Sequence, residues 1–298
     1  MGSDLNIALV GDSVLDDHYW LDQPANDVRA QTERTLMLKY PGRSVKVHNF
    51  AVDESTTSCV LRGRTPGANY RNGRGSANME PYPVGGDGVV RPLELLRKEK
   101  PTHVVLSVGG NDARVRFFNS LDPDAITELM ITDGFVANLR RVVETIRAEV
   151  TPNIVIVYVY MPEFKTFPLL SMLPPAHILQ RLLVNFSKFF IELAVEFRLP
   201  IIDLSRTFNP YDKSHYGSTP IEPSNVSGQF IADLIKQVLE QFRFGEETKG
   251  KIFSGLGRDF RVQDLGPDAF RSFSYERELL EFLDRKRVER KPSTCVIG

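Results

Sequence analysis

Ile7-Ala8-Leu9-Val10 runs directly into Gly11-Asp12-Ser13, and the reading of these seven residues decides the architecture. Four consecutive apolar residues suit a short strand covered on both faces. A glycine at its end permits a sharp turn, which leaves a serine at the strand's C-terminal edge. Ligands and chemistry collect at that edge in open α/β sheets. Ser13 is therefore a candidate nucleophile if an oxyanion donor and a base reach the same edge.

Working outward, short apolar runs alternate with longer helical patterns, the signature of βα units and a parallel sheet. Strands are predicted at 7–10, 45–50, 103–108, 154–160 and 200–204. Val136, Leu139, Val143 and Ile146 recur at helical spacing, Asp122-Pro123 marks a capped helix start, and 179–197 is apolar enough for a heavily buried helix. The last core helix is expected over 224–242, from the spacing of Ile231, Leu234, Ile235, Val238 and Leu239. Two segments stand outside the alternation. Residues 62–87, rich in Gly, Pro and Asn and carrying Arg62, Arg64, Arg71 and Arg74, predict a long loop inserted after the second strand, of a length that is usually functional or disordered. Residues 245–298 read as an appendage on a 1–244 domain, with glycine-punctuated stretches and then a helix over 275–290.

Bulk properties narrow the class. The 298 residues carry a net charge of -1, so no global field draws the protein to nucleic acid or to an anionic membrane. Cys59 and Cys295 cannot form a disulfide framework, which points to a reducing, cytoplasmic setting. No apolar run approaches the ~20 residues of a membrane span, and the first residues lack a secretory signal's basic and apolar regions. No Cys/His cluster has zinc spacing and no Walker-type phosphate loop is present, so no cofactor is expected. At the end, Arg285-Lys286-Arg287 and Arg290-Lys291 precede Cys295-Val296-Ile297-Gly298, which resembles a prenylation signal with an unusual terminal glycine. Modification of Cys295 would add peripheral membrane anchoring.

Four stretches fall where strands end: Gly11-Asp12-Ser13; the run from Asn49 to Thr57 containing Ala51-Val52-Asp53-Glu54; Gly109-Gly110-Asn111-Asp112; and Ile221-Glu222-Pro223-Ser224 followed by Ser227-Gly228. In this order and at these intervals they resemble the SGNH (GDSL) family of serine esterases and acylhydrolases, over about residues 6–242. The resemblance implies a three-layer α/β/α flavodoxin-like sandwich with a central parallel five-stranded sheet. It also implies cleavage of a small-molecule or lipid ester through an acyl-enzyme on Ser13. The oxyanion would be held by the backbone N–H of Ser13, the N–H at the Glu54 position and the Asn111 amide, because a developing oxyanion needs fixed donors about 3 Å away.

Three positions depart from the family pattern. Glu54 stands where the family has a glycine. Glu222 occupies the histidine slot, with Thr219 in the slot of the orienting aspartate. A solvated glutamate (pKa ~4.3) accepts a serine proton poorly at neutral pH, although burial raises that value. His215, three residues after Asp212, is a second candidate base if its loop folds over the site. Asp12, Asp112, Arg62 and Arg64 are candidate substrate contacts, and the four loop arginines, Arg62, Arg64, Arg71 and Arg74, either clamp an anionic group such as a phosphate or simply form a solvated surface. Replacement of both triad partners also leaves open a non-enzymatic reading, an SGNH-fold module that binds a ligand or a partner.

Overall fold

A computed structural model of the chain describes residues 4–66, 83–117, 122–164, 176–266 and 275–289. Strands β1 (Leu5–Gly11), β2 (Val45–Asn49), β3 (His103–Ser107), β4 (Ile154–Tyr158), β5 (Pro200–Asp203), β6 (Gly250–Ser254) and β7 (Arg261–Leu265) form one sheet in the order β2-β1-β3-β4-β5-β6-β7. All pairs are parallel except β6 with β7. The order reverses between β1 and β3, and it is outside the carboxyl ends of such a pair that a doubly wound sheet opens its crevice.

Alternate residues of the central strands point to opposite layers. Ile7, Leu9, Val105, Val155, Val157 and Ile202 pack against α1 (Val28–Lys39) and α8 (Asn225–Gln241). Ala8, Val10, Val104, Leu106, Ile154 and Ile156 face the other layer. That layer contains α2 (Thr57–Arg62), α3 (Pro92–Glu99), α5 (Pro123–Thr132), α6 (Phe135–Glu149), α7 (Ala176–Phe197) and α9 (Tyr275–Glu289). Helix α4 (Gly110–Phe117) follows β3 directly. The predicted cap at Asp122 is in place, accepting from the Asp124 N–H, and at the start of α8 Ser224 and Ser227 form a reciprocal capping box.

The sheet corrects the expected strand count. Two strands come from the segment read as an appendage, and they continue the sheet begun at β1. Ile252 and Phe253 are consecutive apolar residues that bury into opposite cores, as a covered strand requires. β7 (RVQDL) is a polar edge strand whose exposed charges suit an unpaired rim. Helix α9 lies against the same core through Tyr275, Leu279, Phe282 and Leu283.

At the ends of the inserted loop, Arg64 and Val90 pair backbone to backbone as an antiparallel bridge. Residues 67–82 with Arg71 and Arg74, and Cys295 with its basic neighbours Arg290 and Lys291, lie outside the described residues. No helix among the described residues is long and apolar enough to cross a membrane.

Gly11 closes β1 with φ 135°, and a Cβ there would sit 1.6 Å from the Ser107 carbonyl oxygen. That contact cannot relax without separating β1 from β3, because Asp12 N–H donates to the same oxygen at 3.0 Å. Gly11→Ala is expected to destabilise the protein by roughly 3 kcal/mol or more, read as a drop in the denaturant midpoint. A midpoint within error of wild type would contradict this packing.

Candidate active site

The turn after β1 carries Ser13, the N-terminus of α4 carries Asn111, and the loop before α8 carries Glu222. All three line one cavity of about 150 Å³, together with Asp12, Arg114 and Tyr160. The loop holding Glu222 is pinned on several sides. Tyr216 and Pro223 form a bridge, Gly217 N–H donates to Glu222 O at 2.8 Å, and the Tyr160 hydroxyl donates to Ile221 O at 2.7 Å. Ser227 Oγ donates to His215 O at 2.6 Å, tying the loop to the first turn of α8. Thr219, in the aspartate slot, accepts from Ile221 N–H and so shapes the turn.

Glu222 is 6% exposed and Ser13 9%. Burial pushes the Glu222 carboxyl well above the usual glutamate range, and the charges of Asp53 and Asp12 push the same way. Hydrogen bonding by the Ser13 side chain, and the charge of Arg114, pull it down. Its Oε2 is buried without a hydrogen-bond partner. A carboxyl in this setting is a stronger proton acceptor than a solvated one.

His215 is placed elsewhere. Its Nδ1 accepts from Asn209 N–H at 2.8 Å, its Nε2 lies 3.8 Å from Asp212, and its ring packs edge-on against Phe208 and Phe230. It does not line the cavity with Ser13. The loop does fold over this end of the sheet, but it presents Glu222 inward and turns His215 toward α8.

The second stretch is held by the third. Thr57 donates from N and Oγ1 to the two Asp112 oxygens at 2.9 and 2.7 Å, and Asn111 Nδ2 donates to Ser55 O at 3.2 Å. Asp112 is thus committed to the protein and does not line the cavity. Glu54 adopts φ 61°, so a non-glycine residue does take the left-handed backbone here, at a cost on the order of 1 kcal/mol. Its side chain turns outward to Arg64 (2.6 Å) and Arg114 (3.1 Å). The Glu54 N–H donates to Asp53 Oδ1 at 2.6 Å, and Glu54 does not line the cavity. Neither Arg62 nor Arg64 lines the cavity. Arg62 is exposed in the last turn of α2, and Arg64 is engaged by Glu54. The guanidinium at the cavity belongs to Arg114.

Asp12 is buried and accepts from Val14 N–H at 3.2 Å and Ser107 Oγ at 3.0 Å, yet burial pushes its carboxyl up to about 7. The folded state therefore holds a proton that the unfolded chain releases near pH 4. Stability from this proton is complete below about pH 4 and is lost as pH rises through about 7. Between pH 4 and 8 wild type should lose stability relative to Asp12→Asn in chemical unfolding. A constant difference would contradict this assignment.

Arg114 and Tyr160 were not singled out from sequence. Arg114 is three residues after Asn111 on the same helix, a spacing that puts both on one face. Tyr160 is just past β4, at the same functional edge. Among the described residues no group of three or more His, Cys, Asp or Glu side chains is arranged to hold a metal ion.

Among solved structures, the lipase Lip_vut3 from a goat rumen metagenome matches with 14% identity and a TM-score of 0.55, covering 81% of this chain and 99% of that one. A GDSL-like lipase from Parabacteroides merdae matches with 13% identity and a TM-score of 0.50, over 78% of this chain and 94% of that one. No protein-family model matches the sequence, and no curated protein matches it. With a serine after β1, an asparagine after β3 and the crevice between them, the chain has the α/β/α fold of the SGNH (GDSL) lipases and acylhydrolases.

Proposed function

We propose that the protein is a serine esterase in which Glu222 replaces the usual histidine. The observation that carries this reading is the shared placement of Ser13, Asn111 and Glu222 on one cavity, with Glu222 buried and its carboxyl raised beside the Ser13 hydroxyl. Ser13 Oγ attacks the ester carbonyl carbon as its proton passes to the Glu222 carboxylate. The Asn111 amide and the Ser13 backbone N–H stabilise the oxyanion. Collapse breaks the ester C–O bond, and Glu222 returns the proton to the leaving alcohol. Water then attacks the acyl-enzyme by the same route, releasing the acid and restoring Ser13.

Incubation with a fluorophosphonate probe followed by peptide mass spectrometry tests the nucleophile. The expected result is a covalent adduct on Ser13, reduced at least tenfold in Glu222→Gln. A Ser13 that stays unlabelled at high probe concentration would favour the binding-module reading instead.

A further inference from the structure

The polar groups of the cavity sit against a wall of different chemistry. Leu179, Leu182, Leu183 and Phe186 recur at i, i+3, i+4 and i+7 along α7, the spacing that gives a helix one apolar face. All four line the cavity, each at most 7% exposed, and Val159 and Met161 after β4 continue the wall. No charged side chain of α7 lines it. The wall is also fixed in place: the Tyr158 hydroxyl donates to Leu183 O, and the Phe186 ring lies 6.1 Å from that of Phe135. The cavity, about 150 Å³ with its polar end at Ser13 and Glu222 included, has room for a ligand of about six carbons, the size of the benzene that an engineered cavity of that volume holds.

Resting on the esterase reading above, we infer that the substrate is an ester of an uncharged aliphatic acid of about six carbons, whose chain lies along the α7 wall. An acetyl group would leave the wall unfilled and forfeit its contacts. A chain of twelve carbons exceeds the space and must leave part of its length in water. Each methylene taken from water into the wall raises kcat/KM by up to about fourfold.

The test has two arms. In the first, wild type hydrolyses a series of p-nitrophenyl esters from acetate to dodecanoate. The expected kcat/KM peaks near hexanoate, at least 30-fold above acetate, and falls by dodecanoate. Leu183→Trp, which fills the wall, shifts the peak to shorter chains. In the second arm, Ser13→Ala is titrated with methyl hexanoate and methyl acetate under saturation-transfer NMR, which reads binding without turnover. Hexanoate should bind at least tenfold more tightly. Acetate equal to or better than hexanoate in the binding arm, or a rate that rises without a break to dodecanoate, overturns the chain-length inference. No turnover of any ester combined with selective hexanoate binding would overturn the esterase reading while leaving the pocket's preference standing.

Discussion

Ser13→Ala is expected to lower turnover of short aliphatic p-nitrophenyl esters by about 10⁴–10⁶-fold, with little change in folding. The substitution removes the atom proposed to form the acyl-enzyme while leaving Asn111 and the cavity wall intact. Residual rate would then come from oxyanion stabilisation and substrate positioning alone. The side chain is 9% exposed and small, so the loss of packing is slight and the melting temperature should stay within a few degrees. Initial rates of the two proteins, measured side by side with matched thermal melts, decide the matter. Equal rates would remove Ser13 from the chemistry.

Glu222→Gln is expected to lower kcat/KM by about 10²–10⁴-fold, the range of a general base. The amide keeps nearly the same shape and is held by the same loop, but it cannot accept the serine proton. Stability should move the other way. A buried carboxyl with raised pKa costs folding free energy as pH rises and it must ionise, and glutamine removes that cost. At pH 8 the variant should therefore be at least as stable as wild type while far less active. His215→Ala, by contrast, should keep the rate within about threefold, since its ring packs on Phe208 and Phe230 away from the cavity. A His215→Ala rate lowered as far as that of Glu222→Gln would overturn the assignment.

The core strands and helices were legible in the sequence because their signals are local. β1, β3 and β4 are each built on an unbroken apolar run, and α6 and α8 repeat apolar residues at helical spacing. β6 and β7 were not legible. Gly250 opens β6 and Gly255 follows it; both read as breaks, whereas Gly250 is demanded by close backbone: a Cβ there would lie 2.6 Å from Ala194 O. β7 is an edge strand whose alternation is polar, so nothing in its composition marks it.

At the site, Ser13 and Asn111 could be placed because strand ends converge by topology, and Glu222 because its stretch resembles the family's last block. The roles of their neighbours could not, because they depend on which way a side chain turns. Asp112 is adjacent to Asn111 yet turns to Thr57. His215 is seven residues before Glu222 yet is taken by the Asn209 N–H. The buried acidity around Glu222 also escapes a linear reading, since Asp53 and Asp12 come from two different strand ends.

If a glutamate takes the proton of Ser13, the pH dependence of kcat/KM reports the ionisation of that group. The group must be ionised to act as base, so the rate should climb about tenfold per pH unit along an acid limb. That limb should have an apparent pKa well above the ordinary glutamate range, and Glu222→Gln should abolish it while His215→Ala leaves it in place. A limb near the ordinary histidine value that His215→Ala removes, or a limb unchanged in Glu222→Gln, would contradict the account.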